Sequence, residues 1–157
     1  MSVKPIPDGY HTVTPYLVVR GAVEALRFYQ EAFGAKETTR LELPGGKLAH
    51  AEFKIGDSIV MMADENPDMG FLSPQSVGGT PVSHLLYVDD ADSVFASTVA
   101  AGAKELRPLA DQFYGDRMGT LQDPFGHVWS VATHVEDVTE EEMRRRFEGM
   151  SEHGGGE

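Results

Sequence analysis

With 157 residues, 25 acidic against 13 basic side chains and a formal charge of −12, the chain is the size of one domain and repels a phosphate backbone, so no nucleic-acid partner is expected. The absence of cysteine excludes disulfides, thiolate metal sites and a cysteine nucleophile, and it suits a reducing compartment, making the cytoplasm the expected location. Residues 1–10 hold one lysine, two prolines and no apolar core, and no apolar run reaches about 18 residues, so neither a secretion signal nor a membrane span is expected.

Val13 to Val19 reads as a first strand with Pro15 near its start. After Gly21, residues Ala22, Ala25, Leu26, Tyr29, Ala32 and Phe33 recur at helical spacing, and Gly34 is placed to close that helix. Strands follow at 36–43, 48–55 and 58–63, separated by Pro44-Gly45-Gly46 and Gly56-Asp57. A long Pro, Gly and Ser-rich stretch, 65–81, then reads as a linker, with a lid over a site as the other reading.

The second half repeats this order. Val82 to Val88 is a strand, Asp90 an N-cap, and Ala91, Val94, Phe95, Thr98 and Val99 a helical stripe ended by Gly102. Strands follow at about 104–109, 115–122 and 127–134, the last entered through the turn Asp123-Pro124-Phe125-Gly126. The tetrapeptide Gly-Ala-Lys-Glu closes both helices, at Gly34 and again at Gly102, an offset of 68 residues. A repeat of this kind marks one supersecondary unit used twice. The expected organisation is a single domain over 1–150: module one at about 10–64, the linker, module two at about 82–135, and a terminal helix at about 139–149. Thr139 and Glu142 form a capping box for that helix, its Arg144-Arg145-Arg146 run reads as a solvated face, and 151–157 is expected to be disordered.

Alternation sorts the faces of the strands. In 48–55, Ala49, Ala51, Phe53 and Ile55 form the apolar face, so His50 and Glu52 share the opposite one. That pair is either the wet face of a curved sheet or a proton-handling pair, or it contributes to a metal site. In 111–120, Phe113 and Tyr114 offer an aromatic wall and Arg117 a grip on an acidic group; the same residues serve equally as a fixed bulge, with Asp116 and Arg117 paired. Trp129, out of phase with Ser130, is expected in the core, and His127 is expected to be exposed.

Two β-α-β-β-β modules, the helix "EALRFYQEAFGAK", the strand pair "HAEFKIGDSIVMMAD" and the string "DQFYGDRMGTLQDPFGHVWSVATHVEDV" together resemble the vicinal oxygen chelate superfamily. This is the group of glyoxalases, bleomycin resistance proteins and extradiol dioxygenases, and the likeness is strongest to its PhnB-like branch. The resemblance implies an α+β fold in which paired modules form a cup-shaped mixed sheet around a ligand cavity, usually completed by a homodimer. Metal-dependent members draw ligands from the first and fourth strands of both modules, and that pattern falls here on Thr14, Met61, His84 and Ser130. Only His84 of these is a competent ligand, so the usual metal is expected to be absent. Tyr16, Ile59, Leu86 and Val128 complete the expected inward face.

The reading is a small organic ligand held in the cup by Thr14, Tyr16, Met61, His84, Phe113, Tyr114, Arg117 and Ser130, with no cofactor. Two rivals stand beside it. One is a metal-dependent isomerase, lyase or dioxygenase using a displaced divalent-metal site of His50, Glu52 and His84; the other is an interaction protein with an empty cup.

Overall fold

Each half of the chain folds as a strand, a helix and three further strands. In the first, β1 (Tyr16–Val19) leads to α1 (Ala22–Phe33), then β2 (Lys36–Glu42), β3 (Leu48–Ile55) and β4 (Ser58–Asp64). A 3-10 turn at Pro67–Met69 and the short α2 (Pro74–Val77) occupy the linker. The second half holds β5 (Ser83–Tyr87), α3 (Ala91–Ala100), β6 (Lys104–Asp111), β7 (Asp116–Gln122) and β8 (Val128–His134), and α4 (Glu140–His153) follows. This computed structural model describes residues 2–153, with side chains to residue 150. Thus α4 runs to His153, into the stretch expected to be disordered; residues 154–157 lie outside the described residues.

The strands form two four-stranded mixed sheets, β1-β4-β3-β2 and β5-β8-β7-β6, a cup-shaped pair of modules in an α+β fold. In each the first strand runs parallel to the last, β1 with β4 and β5 with β8, and the other pairs are antiparallel. The expected helix signals act as read. Gly34, at φ 68°, gives its N–H to the Gln30 carbonyl, a conformation that costs a Cβ-bearing residue energy. Asp90 accepts from the Ser93 N–H at 3.1 Å. Thr139 accepts from the Glu142 N–H at 3.2 Å, whereas the Glu142 carboxylate turns outward to Arg145 and Arg146, so only half of the capping box forms.

One core joins the modules. Leu26, Tyr29, Phe53 and Met62 of module one pack in the same buried cluster as Leu121, Trp129 and Val131 of module two. Tyr29 sits at the junction, its ring 5.3 Å from Phe53 and 5.4 Å from Trp129. Burying such a ring is worth roughly 1.5–3 kcal/mol. Its hydroxyl donates to Asp123 at 2.5 Å, and the same carboxylate accepts from Trp129 Nε1 and from the Phe125 and His127 amides at 2.9–3.0 Å. Four donors offset the desolvation of a carboxylate that is 4% exposed. Burial first, then the Asp123 charge, holds the Tyr29 hydroxyl well above its usual range, so it remains a donor.

Strand phase departs from the sequence reading in one place in module one. Leu41 pairs with His50 but Glu42 pairs with Leu48, leaving Ala49 as a bulge. Leu48 is therefore fully buried and Ala49 exposed, although alternation from Ala51 placed Ala49 in the core.

Candidate functional site

On the face of module one away from the core, register aligns Tyr16 of β1, Met61 of β4, Glu52 of β3 and Thr39 of β2 in one row across the sheet. His50 stands beside this row and closes a chain of polar contacts. Its Nδ1 is 3.1 Å from the Tyr16 hydroxyl and its Nε2 is 3.2 Å from the Glu52 carboxylate. Glu52 also accepts from the Tyr10 hydroxyl, which places the N-terminal segment over this face. The hydrogen bond to Glu52 raises the Tyr10 pKa, while burial and then the Glu52 charge raise that of Tyr16, so both phenols stay protonated donors at neutral pH.

Beside this chain lies a cavity of about 450 Å³ whose wall includes Thr14, Met61, Tyr10, Ile6 and two prolines, Pro5 and Pro7. Thr14 precedes β1, and Thr14 and Met61 meet there because Pro15 turns the segment onto β4, with the Met61 N–H bonded to the Pro15 carbonyl at 2.9 Å. Phe71 of the linker adds an aromatic edge, 6.5 Å from Tyr16. Tyr10 is the residue that sequence reasoning missed, since nothing in its local pattern records the path of an irregular segment.

The corresponding row of module two is Leu85 of β5, Ser130 of β8 and Thr120 of β7. Ser130 and Thr120 share a hydrogen bond at 2.9 Å. His84 is not in this row, a correction to the expected inward face. It pairs with Trp129, whose ring it meets at 5.0 Å on the core side, and Leu86 likewise packs against the core. Arg117 is also redirected. Successive strand residues point to opposite faces, so it cannot pair with Asp116 and instead grips Asp92 through two bonds of 2.9 Å and Asp111 at 3.2 Å. Phe113 packs 5.9 Å from Phe147 of α4, and the Tyr114 hydroxyl points to the Met118 sulfur at 3.6 Å. These two aromatics anchor the rim and the terminal helix.

A second polar chain went unread in the sequence. Asp116, 4% exposed, accepts from the Tyr87 hydroxyl at 2.7 Å and contacts His134 Nδ1 at 2.8 Å, while His134 Nε2 lies 2.8 Å from Asp137. The hydrogen bonds to Asp116 and then Asp137 raise the His134 pKa. His127, expected at the surface, is buried, its Nε2 bonded to the Val18 carbonyl at 2.9 Å.

The donor chemistry can now be set against the divalent metal that the fold suggests. On the structural rows the positions are Tyr16 or Thr14, Met61, Leu85 and Ser130, which supply hydroxyls and a thioether; this set does not fit a divalent transition metal. The displaced set fails as a group as well. His50 and Glu52 stay paired, but His84 belongs to the core side of the other module. Among the described residues no three His, Asp or Glu side chains are placed to hold one ion.

Paired β-α-β-β-β modules with a polar chain beside a largely apolar cavity define the class. The family model for the Glyoxalase/Bleomycin resistance protein/Dioxygenase superfamily matches residues 10–131, and the chain belongs to that superfamily. It is 42% identical over 147 residues to the Mycobacterium bovis protein Mb0911c, covering 92% of this chain and 95% of that one. Among solved structures it is similar to TioX from Micromonospora sp. ML1, with 25% identity and a TM-score of 0.63 over 82% of this chain and all (100%) of the other. A PhnB protein from Bacillus cereus shares the fold at 20% identity and a TM-score of 0.62, covering 78% of this chain and 99% of that one.

Proposed function

We propose that the chain binds a small organic molecule on the outer face of module one, in the cavity beneath its N-terminal segment. The observation that carries this reading is the convergence of Thr14 and Met61 on one cavity of about 450 Å³, beside the Tyr16, His50 and Glu52 chain. Apolar walls with a few fixed polar groups are the usual make-up of a small-molecule site. Met61 adapts its shape to an apolar ligand where a carboxylate would repel one. Sequestration needs no metal, which suits the donor set. Ser130, Phe113, Tyr114 and Arg117 are engaged within module two and serve the site's frame.

A second reading, acid–base catalysis, is favoured by one observation: His50 bridges a phenol and a carboxylate, an arrangement in which Glu52 orients an imidazole that moves a proton to or from Tyr16. We further propose that the working form is a cytoplasmic homodimer. Leu41, Leu43, Met69, Phe71, Leu85 and Tyr87 are all exposed, a supply of apolar surface that a second copy would cover. No helix of the described residues is long and apolar enough to cross a membrane.

Thermal-shift screening tests the main reading. A ligand at about 100 times its Kd adds about 2.7 kcal/mol, or about 5–10 °C for a chain of this size. Met61→Glu is expected to abolish that shift; a shift that survives it would place the ligand elsewhere. Turnover of a hit by the wild type, lost in His50→Ala, would select the catalytic reading. Light scattering after size exclusion reports the dimer.

A further inference from the structure

Where module one meets module two, a cavity of about 330 Å³ takes Val13, Pro15, Ile59 and Val60 from one side and Leu86 and Trp129 from the other. It touches the site under the N-terminal segment only at His11, which lines both; none of Met61, Tyr16 and Glu52 lines it. Its polar lining is His84, with Ser58, Ser83 and His11. Among histidines with described side chains, His11, His50, His127 and His134 each hold a hydrogen bond. His84 holds none, although it is half-buried and lies 5.0 Å from the Trp129 ring at an interplanar angle of 41°. Its ring nitrogens are not fully buried and have no protein partner, so a donor and an acceptor are available to a molecule that enters the cavity.

The chemistry of that molecule follows from the walls. No Asp, Glu, Lys or Arg side chain lines the cavity, so a charged ligand would lose its hydration without a counter-charge. His11, also on the wall, is engaged with the Asp57 carbonyl at 3.3 Å. Burial first and then the nearby His127 lower the His84 pKa, with Asp123 opposing, which keeps the imidazole neutral in neutral solution. A neutral imidazole offers one N–H and one lone pair. The half-buried His84 ring, the small part of Trp129 that is not packed in the core, and the aliphatic residues opposite form a slot at the small end of ligand-site volumes, suited to one ring.

We propose that this seam is a second binding site, for a single-ring, uncharged aromatic molecule of the phenol class. Its ring lies in the slot beside Trp129 and its hydroxyl bonds to His84.

Trp129 is the chain's single tryptophan, so its indole N–H gives one resonance to watch. Titration of the full chain with 4-methylphenol is expected to shift that resonance saturably. Toluene, of the same shape without the hydroxyl, is expected to bind about tenfold more weakly, the worth of about one hydrogen bond. In His84→Leu the two probes should bind alike, and in Ile59→Phe, which fills the slot from module one, neither should bind. An unshifted indole resonance, equal affinity of the two probes for the wild type, or a phenol preference retained in His84→Leu would overturn the proposal. Should His84→Leu fail to fold, Ile59→Phe decides alone, because undiminished 4-methylphenol binding in that variant rules the seam out. The two cavities share His11 but neither Met61 nor His84, so the readings are told apart by the Met61→Glu and His84→Leu variants: loss of the phenol preference in His84→Leu alone reports the seam, and loss of the screening hit in Met61→Glu alone reports the module-one site.

Discussion

The two modules share a strand order but spend their polar residues differently. In module one the Tyr16, His50 and Glu52 chain runs beside open space and is covered from one side by Tyr10. In module two the comparable groups satisfy one another: Tyr87 and His134 converge on buried Asp116, Asp137 holds the far side of His134, and Ser130 bonds Thr120. Arg146 of α4 then locks the rim by donating to the Phe113 carbonyl at 3.0 Å and pairing with Glu136 at 2.6 Å. The difference teaches that a repeated frame does not repeat a function. One copy keeps its polar chain beside a cavity, the face proposed for a ligand, and the other uses its face to fasten the terminal helix.

The comparison presumes that the modules fold as one body, and Asp123→Ala tests this with the largest expected effect. The substitution strips a partner from two buried side-chain donors and two amides, a loss of roughly 3 kcal/mol or more. Circular dichroism and Trp129 fluorescence should still report one coincident transition at lower temperature. Two separate transitions would mean that Tyr29 and Asp123 do not couple the modules. A smaller effect is expected at Gly115→Ala, where φ is +99° and a Cβ would overlap the Glu136 carbonyl oxygen. Strain and overlap together are worth about 2–3 kcal/mol. Gly45→Ala, in module one at φ +95° with open space around it, isolates the conformational part at about 1 kcal/mol. Equal losses at the two sites, measured by denaturant midpoints, would remove the claim that module two's rim is the tighter one.

Most of the frame was legible because its signals are local. Gly34, Asp90 and the Asp123-Pro124-Phe125-Gly126 turn each act through atoms within a few residues, and helical spacing in α1 with the alternation of Ala51, Phe53 and Ile55 in β3 marks the apolar faces. The site was less legible because it depends on phase and on distant chain. Ser83 to Tyr87 has no alternating polarity to set its phase, so His84 was assigned through a family position and fell one residue out of register with Ser130. Leu48 and Ala49 are both apolar, and a bulge between them leaves no mark in composition. The sequence leaves Arg117 open to an acidic ligand group or to Asp116, although a strand sends neighbours to opposite faces; its partners are Asp92 on α3 and Asp111 on β6. Tyr10 and His134 find Glu52 and Asp116 only after folding, 42 and 18 residues away.

Two tyrosines compare the modules directly. Tyr87→Phe removes a bond to a buried carboxylate and should lower stability by about 1–2 kcal/mol while leaving ligand binding at module one as it was. Tyr16→Phe removes a bond on a face that is 45% exposed at that residue, so stability should change by less than about 0.5 kcal/mol. Ligand affinity should fall severalfold if the hydroxyl meets the ligand. Urea midpoints and the thermal shift with a screening hit measure both. The reverse pattern would exchange the roles assigned to the two faces.

The smallest effects come from pH, and they separate the modules by sign. His134 has a raised folded-state pKa, so its contribution is complete below the unfolded value of 6.5 and is lost as pH rises through the higher folded value. Glu65, at the end of module one, is lowered to about 2 by its bonds to Ser73 and Ser76, with Arg20 adding to them. Its contribution is complete above 4.5 and is lost as pH falls through about 2. Alkaline solution should therefore loosen the Asp116–His134–Asp137 clamp while leaving the linker anchor intact. Amide exchange, corrected for its intrinsic pH dependence, should quicken at residues 135–138 between about pH 6 and pH 9 and stay level at 73–77. His134→Gln should abolish that pH dependence. Equal quickening in both segments would mean that global opening, and not the clamp, governs the response.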